Sequence, residues 1–379
     1  MKVKRTADIS LFLTVTGLLL ASLAFVYTAS ASFSVAKTAT SEGMLVKHAT
    51  KVLLAIGAML FFTKIDYHSY QKQTKLIMFG ALAFLLAVLV IGKVELGARR
   101  WLPLGPLSFQ PTELAKIALV MHIAALCAAK KEYIGDFKRS FVPIMLWAGV
   151  TAALIAKQPN MSNAAVIMFL AMSIVYVAQM PMKYLLATGS LAILVGGIYA
   201  MTAWYRVQRV LTFFGMENEH SEKIGYQTSQ AIIALGSGGL FGVGIGQSRQ
   251  RDFYLPESYG DFIFSVIGEE YGFVGAAFLL IIFSFIIIRG IQIAKHAPDP
   301  FGRYVAFGIT MMIAINVLIN ALVNSGLMPV TGLPMPFISY GGTSMIFSAA
   351  SIGILLNISK HTERLPKPQP LPLAVRYAQ

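Results

Sequence analysis

Asp261 stands where a long polar loop meets an apolar helix, in the stretch YLPESYGDFIFSVIGEE from Tyr254 to Glu270. Glu269 and Glu270 follow inside that helix. Carboxylates at a membrane boundary are costly unless something uses them. Two chemical tasks suit Asp261: general base, with partial burial raising its pKa towards the working pH, or ligand to a divalent cation such as Mg2+ or Mn2+. A third use is structural, as an N-cap whose carboxylate accepts free amide hydrogens of the helix. A second pair, Glu113 and Lys116 in QPTELAK, follows Pro111, which suits a first helical turn. Three residues apart, the two share a helix face. They form either an ion pair that snorkels to the interface or a charged wall of a site, with Lys116 pairing Asp261. Arg99 and Arg100 in GARRW, Arg206 and Arg209 in YRVQR, and Arg249 and Arg251 in QSRQR form a basic set. Arginine suits bidentate phosphate contacts; contact with anionic lipid headgroups is the plainer use.

Other conspicuous segments read as scaffold. The run GSGGLFGVGIG, Gly236 to Gly246, has no Gly-Lys-Ser/Thr and is no phosphate loop; its use is tight turns and close backbone approach. GLPMPFISYGGTS, Gly332 to Ser344, reads as a re-entrant or broken-helix segment, tolerated only where protein or water covers the backbone. His48 and His122 lack partners at ligand spacing, so no histidine metal cluster is expected. The single cysteine, Cys127, excludes an internal disulfide and reads as a small buried hydrophobe.

The elements that must position these groups are membrane helices. Hydrophobic residues are 56 %, charged residues 13 % and mean hydropathy is +0.67 over 379 residues. A soluble domain carries about 25 % charged residues, so the expectation is an all-α polytopic membrane protein. Ten apolar spans are read: 9–31, 50–64, 76–92, 112–129, 141–156, 162–179, 184–203, 262–288, 304–323 and 342–358. The first resembles a secretory signal, but its apolar run exceeds the usual h-region, so it reads as an uncleaved helix. The net charge of +14 does not indicate nucleic acid, because the basic residues lie in loops between spans. One set of termini and loops holds 18 Lys and Arg and the other 12, which places both termini in the cytoplasm and Asp261 outside. The single long outer loop, about 204–261, contains helical spacing over 224–235 that suits a helix lying at the interface. The expected organisation is one transmembrane domain over 1–364 and a Pro-rich disordered cytoplasmic tail over 365–379.

Together the segments GARRWLPLGPLSFQPTELAK, RVQRVLTFF, GYQTSQAIIALGSGGLFGVGIGQSRQ, FYLPESYGDFIFSVIGEEYG and GLPMPFISYGGTS resemble the FtsW/RodA family, the SEDS peptidoglycan glycosyltransferases. GARRW, GQSRQ and FYLPE look more like the FtsW (division) branch than the RodA (elongation) branch. The resemblance implies ten transmembrane helices in the inner membrane and polymerisation of lipid II at its outer face, in septal wall synthesis. It implies a class B penicillin-binding protein as transpeptidase partner, other division-machinery membrane proteins around it, and no organic cofactor. The family's essential aspartate falls on Asp261, and its Glu and Lys at the start of the fourth helix fall on Glu113 and Lys116. Arg99, Arg100, Arg206 and Arg209 are then candidates to grip the pyrophosphate of the substrate. Two departures stand out: Tyr259-Gly260 replaces the family's frequent His-Thr, and QPNMSN puts Asn160 in place of an acid, so Asn160 receives no catalytic role. The rivals are a lipid II flippase, a non-enzymatic scaffold of the division machinery, and the same chemistry in elongation.

Overall fold

The computed structural model describes residues 6–38, 42–95, 98–104, 107–214, 216, 222–252 and 254–362. The expected tail at 365–379 lies outside the described residues. Twelve helices and a small sheet account for most of the rest. The chain runs through α1 (Ile9–Thr38), α2 (Gly43–Lys64) and α3 (Tyr67–Ile91), then the strands β1 (Lys93–Glu95), β2 (Ala98–Leu104) and β3 (Leu107–Phe109). It continues with α4 (Pro111–Ala129), α5 (Val142–Lys157), α6 (Met161–Val177), α7 (Met182–Met201), α8 (Trp204–Phe213) and α9 (Glu222–Ser237). The last helices are α10 (Ile263–Lys295), α11 (Pro300–Asn324) and α12 (Thr343–His361). Among the described residues nine helices are long and apolar enough to cross a membrane, and α6 is a shorter apolar helix of 17 residues. This is a multi-pass membrane protein.

The first apolar run is a packed helix, with Leu11, Val15, Leu19 and Val26 fully buried. Helix α4 is the most enclosed of the early helices; its Ala-rich sequence admits α3, α6 and α11 at short range. Helix α12 lies along α2, where a Cβ at Gly353 would stand 2.5 Å from the Met59 carbonyl. Small residues replace the hydrophobic effect as the means of close helix packing in lipid. Cys127 is buried, as expected of a small core residue.

Both ends of the helical bundle meet on one face. The Asp8 amide donates to Ser359 Oγ at 2.9 Å, and Arg289 Nη2 pairs with Asp8 Oδ2 at 2.5 Å. On the same face Tyr67 donates to the Asp299 carboxylate, and Asn357 Oδ1 accepts from the Tyr67 amide at 2.9 Å. Asp261, the sheet and the start of α4 lie on the other face.

Two features depart from a purely helical reading. The sheet is antiparallel with β2 in the middle, pairing Trp101 with Lys93 and Leu102 with Phe109. Alternation in ARRWLPL is too irregular, and β1 and β3 too short, for a period-of-two signal. Helix α10 is also broken inside, at Gly272 (φ 71°, ψ −171°). The break frees backbone groups that the glycine run then takes up. The amides of Phe273 and Val274 donate to the carbonyls of Gly239 and Leu240, and those of Val243 and Gly244 donate to Glu269 and Glu270, all within 2.9–3.2 Å. A Cβ at Gly272 would press on the Leu240 carbonyl and Gly242 nitrogen. Close backbone approach is therefore what this run of glycines does.

Candidate active site

A tight turn delivers Asp261 to the start of α10. The carbonyl of Glu257, a residue in the left-handed region at φ 58°, accepts from the amides of Gly260 (2.9 Å) and Phe262 (3.3 Å). Its carboxylate curls over Gly260, where a Cβ would lie 3.1 Å from Glu257 Oε2. The N-cap position of α10 is Phe262, without a side-chain cap, so the capping use of Asp261 is not realised. Among the described residues its carboxylate accepts no hydrogen bond. It faces Gly332 instead, whose Cβ position is 3.4 Å from Asp261 Oδ2. A short turn left the helix end elsewhere and the carboxylate free.

Four influences act on this half-buried carboxylate. Burial raises its pKa most, the Glu257 carboxylate raises it further, and the Arg100 and Arg209 guanidiniums lower it; the balance is a value pushed up to about 7. Such a group is half ionised near neutrality, which suits a general base.

The predicted arginines divide into two pairs. Arg100 reaches from β2 to the carbonyls of Gln158 (3.1 Å) and Pro159, and its field is felt at Asp261. Arg209, on α8, donates to the Val330 carbonyl at 3.3 Å and also acts on Asp261. Arg99 turns towards the end of α3, donating to the carbonyls of Leu89 and Val90 at 3.4 Å. Arg206 binds the Tyr199 carbonyl at 2.7 Å and lies 3.7 Å from that ring's centroid. Strand alternation separates Arg99 from Arg100, because successive side chains point to opposite faces. Arg206 and Arg209 share a helix face by spacing, but Arg206 folds back on α7.

Lys116 and Asp261 form no ion pair; of the two uses read from the sequence, the structure shows the pair with Glu113, buried rather than reaching the interface. Lys116 Nζ bonds Glu113 Oε1 at 2.8 Å, and both side chains are almost fully buried. One turn of α4 satisfies both charges internally, and α4 is held near α12 by the Gln110 amide, which donates to Thr343 Oγ1 at 3.0 Å. The irregular segment 326–342 connects the two groups of residues. It is largely buried, with Leu333, Met335, Phe337 and Ile338 at or below 2 % exposure, and the Tyr340 amide donates to the Tyr259 carbonyl at 2.8 Å. A broken segment covered by protein is what its prolines and glycines announced.

Glu269 and Glu270 are structural neighbours of the site. Glu269 accepts from Ser248 Oγ at 2.5 Å and from the amides of Arg249 (3.1 Å) and Gln250 (3.4 Å). Glu270 lies 3.9 Å from Arg251 Nη1. They tie the QSRQR loop to α10, which gives Arg249 and Arg251 a place in the scaffold. Asn160 caps α6, its Oδ1 accepting from the Asn163 amide at 3.4 Å. Glu257 and the asparagines of α11 were not singled out from sequence. The signals were an acid four residues before Asp261, and Asn316, Asn320 and Asn324 spaced on one helix face.

Comparison with known proteins agrees with this architecture. The family model described as "Cell cycle protein" (FTSW_RODA_SPOVE) matches residues 9–364. The chain is 36 % identical to "Stage V sporulation protein E" of Bacillus subtilis, over 96 % of this chain and all of that one. It is 34 % identical to "Probable peptidoglycan glycosyltransferase FtsW" of Geobacter sulfurreducens, over 95 % of this chain and 96 % of that one. A solved chain from "Structural coordination of polymerization and crosslinking by a peptidoglycan synthase complex" aligns with a TM-score of 0.77 and 27 % identity, covering 93 % of this chain and 98 % of its own. Matching over nearly its whole length, the chain belongs to the FtsW/RodA/SpoVE family of membrane proteins.

Proposed function

We propose that this protein is a peptidoglycan glycosyltransferase that polymerises lipid II into glycan strands at the outer face of the cytoplasmic membrane. The observation that carries the reading is one carboxylate, Asp261, free of hydrogen bonds among the described residues, facing Gly332, and held at about 7 by burial and Glu257 against the fields of Arg100 and Arg209. A base beside two guanidiniums is what transfer from a sugar pyrophosphate requires. Asp261 takes the proton of the acceptor GlcNAc 4-hydroxyl as that oxygen attacks C1 of the donor MurNAc. The C1–oxygen bond to the polyprenyl pyrophosphate breaks, and Arg100 and Arg209 stabilise the charge that develops on it. Lys116 and Glu113, a buried and mutually neutralised pair, hold the start of α4 as a polar wall of the site. Arg99 and Arg206, engaged with the end of α3 and with Tyr199 of α7, act on headgroups or structure. The donor is already activated, so no organic cofactor is required.

A divalent cation fits the site in a limited way. Asp261 and Glu257 are the carboxylates beside one another, and the described residues contain no group of three or more His, Cys, Asp or Glu able to hold a metal. Mg2+ is commonly bound by one or two carboxylates with substrate phosphates completing the shell; Asp261 and Glu257 would hold Mg2+ or Mn2+ in that manner. Bound there, the ion would neutralise leaving-group charge.

The partner reading is a class B penicillin-binding protein, supported by the likeness to a complex named for polymerisation and crosslinking. The reading of both termini as cytoplasmic is supported by the loop charge bias and is compatible with the Asp8–Ser359 contact, which brings both described ends of the bundle to one face. A septal role rests on the FtsW-like motifs and on relatives bearing that name. Localisation of a tagged copy, at the septum or along the lateral wall, separates division from elongation. The activity itself is tested with purified protein, its transpeptidase partner and lipid II. Glycan strands on a gel are expected. Headgroup translocation across vesicles with no polymer would make the chain a flippase instead.

A further inference from the structure

We infer that Asn320 and Asn324 of α11 are positioning residues that hold the Asp261 backbone and the facing wall of its site in register, an inference that rests on the proposed role of Asp261 in glycosyl transfer. Asn320 Nδ2 donates to the carbonyl of Asp261 at 2.9 Å, and Asn324 Nδ2 donates to that same carbonyl at 3.0 Å. The partners are backbone oxygens, so the nitrogen must face them in both amides. A carbonyl has two lone pairs, and both are thus taken up by one helix.

Each asparagine also fixes a second element. The other hydrogen of Asn320 Nδ2 goes to the Leu333 carbonyl at 2.9 Å. Leu333 follows Gly332, the residue that faces the Asp261 carboxylate. One amide therefore sets the distance between the catalytic loop and the wall opposite it. Asn324 Oδ1 accepts from the amide (3.0 Å) and hydroxyl (2.7 Å) of Ser265, in the first turn of α10. Its Nδ2 also meets the Asn320 carbonyl at 2.9 Å. Both side chains are buried, at 1 % and 0 % exposure. Hydrogen-bond capacity in a buried polar network is costly to leave unused, so these amides over-determine where Asp261 sits. Among the described residues Asp261 has no cap or side-chain hydrogen bond of its own to do so. A helix-to-helix polar contact would serve packing alone, but then it would not converge on the backbone of the one reactive residue.

The test compares wild type, Asp261→Ala, Asn320→Leu and Asn320→His in the lipid II polymerisation assay with the partner present, with thermal unfolding measured in parallel. Leucine keeps the shape and loses both donors; histidine returns an N–H at the δ position. A displacement of about 1 Å at a reacting group costs about 100-fold, so Asn320→Leu is expected to lower kcat by about 10- to 100-fold with KM for lipid II within about threefold. Asn320→His is expected to recover most of that loss. Unchanged kcat in folded Asn320→Leu overturns the inference, as does a loss confined to KM or one that histidine does not restore. Where Asn320→Leu fails to fold, Ser265→Ala takes its place: it removes one small hydroxyl that orients Asn324, and a kcat loss of about threefold supports the inference while none overturns it. A wild type that makes no polymer, or an Asp261→Ala variant that makes it normally, removes the reading of Asp261 itself. An inactive Asp261→Ala beside a fully active Asn320→Leu removes only the clamp.

Discussion

The pH dependence of polymerisation follows from the charges around Asp261. A base with a pKa of about 7 is half ionised at neutrality. One-proton titration then makes the active fraction about 10 % at pH 6 and about 90 % at pH 8, a ninefold to tenfold rise in kcat/KM, which reports the free enzyme. The perturbations act on the midpoint separately from the height of the curve. Glu257→Gln removes a like charge and moves the acid limb to lower pH. Arg209→Ala or Arg100→Ala removes a favourable charge and moves it higher, while also lowering the plateau through weaker pyrophosphate binding. The assay is initial-rate polymerisation of limiting lipid II from pH 5.5 to 9 in constant ionic strength. A limb centred near 4, or a profile flat between pH 6 and 8, refutes the electrostatic account. So does a Glu257→Gln limb that moves upward.

Further outcomes follow from the same geometry. The folded-state pKa of Asp261 is raised, so the folded protein holds that proton more tightly than the unfolded chain, and stability falls as pH rises from about 4 through about 7. Asp261→Asn should therefore unfold at a higher temperature than wild type at pH 8 and at the same temperature near pH 4, by thermal melts in detergent. Lys116→Met leaves Glu113 as a buried unpaired charge and should cost about 3–5 kcal/mol, whereas Glu113→Gln with Lys116→Met should be closer to neutral in stability. Loss of polymerisation in the stable double variant would separate the pair's charge from its structural use. Gly272→Ala forces a Cβ against the Leu240 carbonyl at a positive φ and should cost about 2 kcal/mol or more, read as reduced folded yield and melting temperature.

Much of this arrangement was legible in the sequence, and the reasons are specific. Apolar length announces α1 to α5, α7 and α10 to α12, since lipid demands it of every span, and α6 reads as apolar but is shorter. The glycines at 236–246 and the prolines and glycines at 332–342 announced close backbone approach and a covered irregular segment, because few other residues permit either. The partner of Lys116 was not legible: Glu113 at one helical turn and Asp261 145 residues on are both plausible counter-ions, and only the fold puts the first in reach. Nor was the division of the arginines, which depends on which face of β2 looks towards Asp261. The sheet escaped notice because its outer strands have three residues each. Asn320 and Asn324 were visible as a stripe on α11, but their target, the carbonyl of a residue on a distant loop, carries no side-chain signature.

In the proposed mechanism everything turns on Asp261, which performs the proton transfer of glycan polymerisation. The direct measurement is lipid II polymerisation by the purified protein with its partner, comparing wild type with Asp261→Ala at matched folding and partner binding. Glycan strands are expected from wild type, and a loss of at least about 100-fold in the variant. Full polymerising activity in a folded, partner-bound Asp261→Ala protein would contradict it.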